Sequence, residues 1–581
     1  MLSRFVAFTS LGRTALPNQY DLLAFLLIIA SFVAIVQAAH GLSLPLAAPE
    51  ATAVSLDYGN LPYYALRTVL RMFAAMVAAL VFTFTYATLA AKSRRAGILL
   101  IPLLDVLQSV PILGFLSFTV TFFLGLFPGS ILGAECAAVF AIFTSQAWNM
   151  AFSFYQSLRG VPRDLNEVAR SFGLSPWQRF WQLETPFAMP GLIWNMMMSM
   201  SGGWFFVVAS EAISVGDTTI KLPGIGSYLA LAIEEKRIDA VFAAIAAMLA
   251  VIIAYDQFLF RPLVASGARF RVELTAGQKA EKSLVAELFA RTRWLRALVR
   301  IPANLFQTVA LWRMELPLPA RPRKAKPRRP PLLSRAADLV WFLILAAGAA
   351  WAASSIAGYI RQELGWSDVR ESVLYTVFTM LRVLILMALA SLVWVPAGVW
   401  IGLRPAIAEK VQPLAQFLAA FPANVLFPIA AFLVIKFSLN PDIWLSFLIV
   451  FGTQWYILFN VIAGASAFPN DLKEVSANFR IHGFDWWRKV ILPGIFPYFV
   501  TGALTASGGS WNAAIVAEYV KWGNDTIAAH GIGAYIAKAT AGGDYPRIVL
   551  GVAVMSLFVI VFNRFLWRPL YSLAERRLRL N

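Results

Sequence analysis

Long apolar runs separated by short polar loops make up most of the chain. Each run has about 20 residues, the length that an α-helix needs to cross a bilayer. The runs are continuous and do not alternate between apolar and polar positions, so a β-barrel is not expected. Six fall in the first half: Leu22–Ala38, a second that ends before Lys92, Ile98–Phe127, a fourth that ends near Phe154, Phe187–Ile213 and Ala240–Phe260. Pro111 interrupts the third run, which predicts a kink or break there.

The second half repeats this pattern with six more runs: Ala336–Ile356, Val373–Ile401, Val411–Phe437, Ile443–Ala465, Ile495–Val520 and Ile548–Phe565. Several residues of the first half recur in the second at one constant spacing: Trp148 with Trp455, Trp204 with Trp511, and Glu211 with Glu518. Six spans in each half give both halves the same orientation. The pattern predicts an all-α polytopic membrane protein with about 12 transmembrane helices in two tandem six-helix units, related by parallel pseudo-two-fold symmetry.

The middle of the chain departs from the apolar pattern. We therefore expect transmembrane units at residues 1–270 and 336–581, with a cytoplasmic connection at 271–335. Within the connection, Glu281–Arg300 alternates charged and apolar residues and predicts an amphipathic helix on the membrane surface. Arg321–Arg335 is rich in basic residues and proline and has no acidic residue, which predicts a semi-extended linker. It could be a tether or bind a partner.

Lysine and arginine cluster in every second loop. The clusters are Arg4 and Arg13, Lys92 to Arg95, Arg159 to Arg179, Arg261 to Arg271, and Arg568 to Arg579. Basic loops of membrane proteins remain in the cytoplasm. We therefore expect both termini, and the polar segment that follows the fourth run of each unit, to be cytoplasmic.

The composition excludes several functional classes. The chain of 581 residues is 59% hydrophobic and 14% charged, with a mean hydropathy of +0.68, whereas roughly a quarter of the residues of soluble proteins are charged. The net charge of +18 is explained by cytoplasmic loops, so no nucleic acid partner is expected. The three histidines and one cysteine show no metal-ligand spacing, and no phosphate-binding loop occurs. We therefore expect this chain itself to bind no metal or cofactor.

The polar segment that occurs in both units contains a repeated pair of acidic residues. Asp164 and Glu167 form the first pair, and Asp471 and Glu474 form the second. The two acids of each pair are spaced like an N-cap residue and the third residue of a helix. A short helix is therefore predicted at each site. Helix capping explains the acidic residues in part. It does not explain why such a helix occurs in both units on the cytoplasmic face of the membrane.

These segments resemble the EAA loop of binding-protein-dependent ABC transporter permeases. The matching residues are Glu167, Ala169, Gly173 and Pro186 in the first copy, and Glu474 and Pro493 in the second, where Ser476 replaces the second alanine of the pattern. In that family the loop forms a coupling helix that docks on a separate ATPase subunit, so the resemblance implies two ATPase partners that carry ATP and Mg. Arg480 stands where the family has glycine, and we therefore expect the geometry of the two docking sites to differ.

The fifth spans are similar to those of the nitrate, taurine, sulfonate and bicarbonate permeases. The similarity of the fifth spans rests on Ser201–Trp204 with Glu211 and on Gly508–Trp511 with Glu518. The third spans, with Pro111 and Pro422, fit the same group. Permeases of this group are usually single six-helix chains that dimerise, so here one chain would supply both halves of the pathway. The resemblance implies a small anionic solute. The candidates for pathway or gate are Gly203, Trp204, Glu211, Gly509, Trp511, Glu518, Pro111 and Pro422.

Two interpretations remain open for Glu211 and Glu518. Ionisable residues in membrane spans are candidates for function, but a glutamate could equally hold the outer end of the bundle by hydrogen bonds. A glutamate pair is an awkward ligand for an anion, which favours a structural or gating role. Arg67, Arg71 and Arg382 in the second spans could attract an anion, but we prefer that they snorkel or pair with acids such as Asp57.

The resemblance implies the transmembrane permease subunit of an ABC importer in a bacterial cytoplasmic (inner) membrane. Such a subunit is not an enzyme, because ATP hydrolysis belongs to its partners. The sequence leaves open whether a periplasmic solute-binding protein takes part. One alternative is an ion-coupled secondary transporter, which would carry ionisable residues near the middle of the membrane, where few are found. Another is a membrane scaffold that anchors partners through its basic linker.

Overall fold

The computed structural model describes most of both units. It covers residues 54–109, 112–215, 218–267, 292, 304, 307–312, 331–466 and 468–577. The predicted span Leu22–Ala38 and almost all of the predicted helix Glu281–Arg300 lie outside the described residues. Within the described part, eight helices are long and apolar enough to cross a membrane, or nine if one bent pair forms a single span. The prediction of an all-α polytopic protein is confirmed.

The first unit contains long membrane helices joined by short helices and one β-hairpin. A 3₁₀ turn at Tyr58–Asn60 precedes the first helix, and π-helical turns occupy Phe180–Glu184 and Asp256–Phe260. The elements are α1 Leu61–Lys92, α2 Arg94–Ser109, α3 Ile112–Leu126, α4 Ile131–Gly160, α5 Arg163–Ser171, α6 Pro176–Arg179, α7 Thr185–Glu211, β1 Ala212–Val215, β2 Thr218–Lys221, α8 Ile225–Glu234, α9 Ile238–Tyr255 and α10 Arg261–Gly267.

The described second unit repeats this order, with one more long helix before it and three helices in place of α4. A 3₁₀ turn at Ala423–Leu426 lies inside this unit, and its π-helical turns are Trp487–Ile491 and Asn563–Trp567. The elements are α11 Pro331–Glu363, α12 Trp366–Gly402, α13 Pro405–Ala420, α14 Phe427–Lys436, α15 Pro441–Trp444, α16 Ser446–Phe451, α17 Gln454–Ser466, α18 Asn470–Asn478, α19 Gly483–Trp486, α20 Leu492–Ala517, β3 Tyr519–Trp522, β4 Asp525–Ala528, α21 Ile532–Ala541, α22 Tyr545–Phe562 and α23 Arg568–Arg577.

Two predicted spans are divided within the described residues. The predicted span Ile443–Ala465 is broken between α16 and α17, where the chain bends by 41°. The break predicted at Pro111 lies outside the described residues and stays a prediction. The single span predicted at Val411–Phe437 is wrong, because α13 ends before Pro422 and α14 begins after it. Phe421 is extended (φ −70°, ψ 126°), as expected for a residue before proline. The last five residues predicted as linker, 331–335, are also helical, because Pro331 is well suited to the first turn of α11.

Each unit also contains one small antiparallel hairpin, which the apolar pattern did not predict. Strand β1 pairs with β2, and β3 pairs with β4. In the second hairpin, Trp522 pairs with Asp525 across a two-residue turn of Gly523, at φ +60°, and Asn524. A two-residue turn of glycine with asparagine is the sequence signal for such a hairpin. The long apolar runs beside it obscure that signal.

The two units pack directly on each other. The amide of Ile112 in α3 donates to Asn512 Oδ1 of the second unit at 2.8 Å. Asn424 Nδ2 donates to the backbone oxygen of Phe205 at 2.9 Å. Gly114 lies so close to the second unit that an added Cβ would come within 2.6 Å of Val552. Helix α3 of the first unit therefore belongs to the interface between the units.

Candidate coupling and translocation sites

The two predicted polar segments form short helices, α5 and α18. Each connects the end of one membrane helix to the start of the next. The predicted N-cap role of Asp164 and Asp471 is wrong, because the N-cap positions are occupied by Pro162 and Pro469, without a side-chain cap. Asp164 instead lies in the first turn of α5, where its charge favours the helix dipole.

The matching positions of the two short helices have matching exposure. Ala169 is 4% exposed and Ser476 is 5% exposed, so both hold their helix against the bundle. Glu167 and Glu474 are exposed. Alanine and serine are both small, so either can occupy this buried position.

Each short helix also carries a valine and a phenylalanine in exposed positions four residues apart. Val168 is 50% exposed and Phe172 is 76% exposed. In the second copy, Val475 is 46% exposed and Phe479 is 76% exposed. Apolar side chains exposed at repeated positions on otherwise polar helices are typical of a protein–protein contact.

The residue that follows the C-cap phenylalanine of each short helix has a left-handed backbone. Gly173 has φ +65° and Arg480 has φ +51°. In both copies the next amide bonds back to the carbonyl five residues earlier, at 3.1 Å and 2.9 Å. This is the Schellman ending that glycine usually allows. The backbone at Arg480 therefore adopts the same conformation as at Gly173. The expected difference between the two docking sites stays a prediction.

Exchanging these two residues should change the local stability in opposite directions. Gly173→Ala is expected to destabilise the end of α5 by about 1 kcal/mol, because alanine is strained at positive φ. Arg480→Gly is expected to stabilise the end of α18 by about 0.5 kcal/mol. Hydrogen exchange of the amides of each helix measures both changes. Gly160→Ala, in the last turn of α4, is the control and should not accelerate exchange. Unchanged exchange in Gly173→Ala would contradict the argument.

Pro186 and Pro493 lie in the first turn of the membrane helices that follow. Pro186 is the second residue of α7, and Pro493 is the second residue of α20. A π-helical turn directly precedes each helix. The amide before each proline bonds back into this turn, Thr185 to Phe180 and Leu492 to Trp487, so each proline lies where the π-helical turn gives way to the α-helix. These residues therefore end the polar segment at corresponding points.

The first polar segment contacts the connection between the two units, and the second polar segment lacks the residues that make this contact. Trp177 Nε1 donates to the backbone oxygen of Val309 at 2.8 Å, and Gln178 Nε2 donates to that of Leu311 at 2.8 Å. The corresponding residues of the second copy are Phe484, which is 78% exposed, and Asp485. Neither side chain supplies an N–H donor. This contact therefore distinguishes the first polar segment from the second.

A cavity of about 140 Å³ lies between the two units. None of the described residues that line it carries a charge. Its polar side chains are amides and hydroxyls, which include Gln108, Ser145, Asn149, Thr453, Thr505 and Asn512. Because both units contribute donors, the cavity suits a small polar solute.

The predicted pathway residues are distributed between this cavity and the helix core. Pro422 and Gly509 line the cavity, while Pro111 lies outside the described residues. Trp204 and Trp511 are each 2% exposed and are not among the lining residues. Their rings pack against Tyr255 and Phe562, respectively, and Gly203 packs against Gln146 and Met72. The neighbouring glycines Gly202 and Gly508 line the cavity.

Glu211 is completely buried at the end of α7 that lies opposite the coupling segment. Its carboxylate accepts hydrogen bonds of 2.7 Å from Thr68 Oγ1, Arg71 Nη1 and the amide of Gly226. An added Cβ at Gly226 would lie 2.5 Å from the Val208 oxygen, so only glycine fits at this approach. The carboxylate thus joins α1, α7 and the start of α8.

Glu518 repeats this arrangement in the second unit. It is 1% exposed and accepts hydrogen bonds from Thr379 Oγ1 at 2.7 Å, Arg382 Nη1 at 2.8 Å and the amide of Gly533 at 2.8 Å. Neither glutamate lines the cavity. The duplicated bonds favour the structural interpretation, in which each glutamate holds one end of its unit together.

Sequence reasoning missed the acids that complete these clusters. Glu135 Oε1 lies 2.7 Å from Arg67 Nη2, and its Oε2 lies 2.6 Å from Arg71 Nε. Asp442 Oδ1 lies 2.8 Å from Arg382 Nη2. The preferred pairing of arginines with acids is confirmed, but these acids are not Asp57. Glu135 and Asp442 occupy matching positions of the two units. This repeated acid within an apolar run was the sequence signal that could have identified them.

Comparison with known proteins agrees with this duplicated architecture. The sequence profile of the binding-protein-dependent transport system inner membrane component family matches residues 83–260 and 394–579, together more than half of the chain. A bicarbonate transport system permease protein, CmpB, from Synechococcus elongatus is 30% identical over 190 residues, which are 33% of this chain and 65% of that protein. A nitrate import permease protein, NrtB, from Leptolyngbya laminosa is 28% identical over 184 residues, 31% of this chain and 62% of that protein.

Another relative is named for a different class of solute. The glycine betaine/proline betaine transport system permease protein ProW from Escherichia coli is 31% identical over 137 residues, 23% of this chain and 36% of that protein. The chain thus spans less than two thirds of the length of each of these relatives. With two profile matches in one polypeptide, this multi-pass membrane protein belongs to the family of binding-protein-dependent transport system inner membrane components.

Proposed function

We propose that this chain is the translocation subunit of an ABC importer and that it supplies both halves of the pathway. The observation that carries the proposal is the cavity that both units line, combined with a coupling helix in each unit. Two separate ATPase subunits dock on α5 and α18 and bind ATP and Mg. The chain itself carries out no catalysis. The family resemblance supports a cytoplasmic face for both coupling helices and for the chain termini.

The solute that fits this proposal is a small polar anion of the bicarbonate or nitrate class. The names of two relatives point to such anions. The cavity has space for on the order of ten water molecules, so only a small solute fits. Amide and hydroxyl donors can bind an oxyanion without the strong attraction of a fixed cation, which would slow its release. A solute-binding protein delivers the anion at the end of the bundle that carries Glu211 and Glu518.

The alternative, an ion-coupled secondary transporter, is less well supported by the described residues. Such a transporter needs ionisable groups that meet its solute or coupling ion. The buried acids of the described part are instead fully engaged near the helix ends, and the cavity wall is neutral. ATP-dependent uptake that persists after an ion gradient is abolished separates the two mechanisms.

Filling the cavity tests the pathway directly. An added Cβ at Gly508 meets no atom within 4 Å, so Gly508→Leu extends into the cavity without displacing a neighbouring helix. We expect this variant to reduce uptake of bicarbonate or nitrate by about tenfold or more, because the solute must compete with the new side chain. ATP hydrolysis without solute should remain within about twofold, since α18 is unchanged.

The matched control is Gly125→Leu. Gly125 also has no atom within 4 Å of an added Cβ, but it does not line the cavity. Uptake by the control should equal that of the unaltered protein in proteoliposomes. Equal uptake by Gly508→Leu and Gly125→Leu would show that the solute takes another route.

A further inference from the structure

A second cavity, of about 580 Å³, lies beneath the first coupling helix. It is open to the surface and is bounded by α5, the end of α1 and the start of the segment that leads into α7. Four of its lining residues are basic and two are acidic: Lys92, Arg163, Arg170 and Arg179, with Glu167 and Glu184. The excess of positive charge suits an anionic ligand.

The buried acid of this cavity fixes two of the basic side chains. Glu184 is 6% exposed. Its Oε2 lies 2.8 Å from Lys92 Nζ, and its Oε1 lies 2.9 Å from Arg179 Nε. The ion pairs of the described residues include neither Arg163 nor Arg170, which are exposed on α5. These two guanidinium groups lie seven residues apart, hence about two turns apart along the helix.

The second unit has no counterpart of this charge cluster. The residues that match Lys92, Arg163, Arg170 and Arg179 are Leu403, Asn470, Ala477 and Trp486, and the match of Glu184 is Ile491. Both units obey the general rule for basic cytoplasmic loops. That rule therefore does not explain why four cations line one cavity at these positions of the first unit.

We propose that this cavity binds a phosphate group. Guanidinium groups match the geometry of phosphate oxygens, and the fixed Lys92 and Arg179 provide further positive charge. Lys92 is the last residue of one candidate membrane span, and Glu184 lies in the first third of another, directly before α7. These positions favour a cavity close to the lipid headgroups. The phosphate is carried by an anionic phospholipid or by a soluble phosphorylated compound. A ligand there braces α5 against α1, whereas α18 lacks this support.

Lipid binding to the full chain tests this proposal without any transport assay. The probe is phosphatidylglycerol with a photoreactive group near its headgroup, mixed into phosphatidylcholine nanodiscs. Cross-linked peptides from the unaltered chain should map to α5 and to residues near Lys92. The double variant Arg163→Gln with Arg170→Gln should lower this labelling roughly fivefold for each cation removed. The charge-matched control, Lys473→Gln with Arg488→Gln in the second unit, should retain it.

Inorganic phosphate and glycerol phosphate distinguish the two sources of the ligand. If they compete with the labelling, the site takes a soluble phosphate; if they do not, it takes the lipid headgroup. Labelling spread equally over both units, or lost equally in both double variants, would overturn the proposal. The positions of the cross-linked peptides in the unaltered chain test the proposal by themselves, so the test remains even if a variant fails to fold. ATPase docking is not measured, so this result is independent of the proposed function.

Discussion

Replacing Phe172 and Phe479 with serine is expected to uncouple ATP hydrolysis from this subunit. Each phenylalanine is 76% exposed on a short polar helix, and each would become buried in an ATPase groove. Burial of such a side chain contributes about 2 kcal/mol, which corresponds to roughly 30-fold in affinity at each site. Because both sites act in one complex, the double variant should show almost no solute-stimulated hydrolysis.

The single variants and one control make this prediction specific. Phe172→Ser and Phe479→Ser should each weaken ATPase binding in a co-purification titration. Phe484→Ser is the control, because Phe484 is 78% exposed in the same polar segment but belongs to the next short helix, α19, whereas Phe479 caps the C-terminal end of α18. If Phe484→Ser weakens ATPase binding as much as Phe479→Ser does, then exposed apolar surface in general, and not the position of Phe479, accounts for the binding. Unchanged binding in the double variant would contradict a coupling role for these helices.

Removing Glu211 is expected to destabilise the first unit by about 3–5 kcal/mol. The change Glu211→Ala leaves the buried Arg71 with only part of its negative partners and leaves the amide of Gly226 without an acceptor. Glu211→Gln retains an acceptor and should lose only about 1–3 kcal/mol. Denaturant unfolding of the purified chain in mild detergent measures both changes.

An exposed ion pair near the same end provides the control for Glu211. Glu234 lies 53% exposed beside Lys221, and Glu234→Ala should change the free energy of unfolding by less than about 1 kcal/mol. The two interpretations of Glu211 predict different results. If Glu211→Ala abolishes uptake but leaves unfolding unchanged, the glutamate acts as a gate and does not hold the unit together.

The membrane fold was predictable because its signals are long and repeated. Apolar runs predict helices such as α1 and α12. The duplication is evident because Trp148 and Trp455 are separated by the same number of residues as Trp204 and Trp511. The hairpins were missed because four-residue strands are too short to stand out beside helix α7 or α20. Pro422 was recognised as a pathway candidate, yet the break it produces was not predicted, since apolar residues continue on both sides.

The candidate sites were predictable only in part, because their contacts join distant segments. The short coupling helices follow from local acids and prolines, but the exposure of Phe172 depends on how α5 packs. Glu135 lies within an apolar run, and its partner Arg71 comes from another helix. The contact of Trp177 with Val309 joins a coupling segment to the distant connection, which no local pattern indicates.

The number of ATPase subunits bound by one copy of this chain tests the central claim most directly. Native mass spectrometry of the complex purified from the membrane measures this number. If one polypeptide supplies both coupling helices and both walls of the cavity, the mass corresponds to one copy of this chain with two ATPase subunits. A complex with two copies of this chain and two ATPase subunits, or a chain that purifies with no ATPase, would contradict the account.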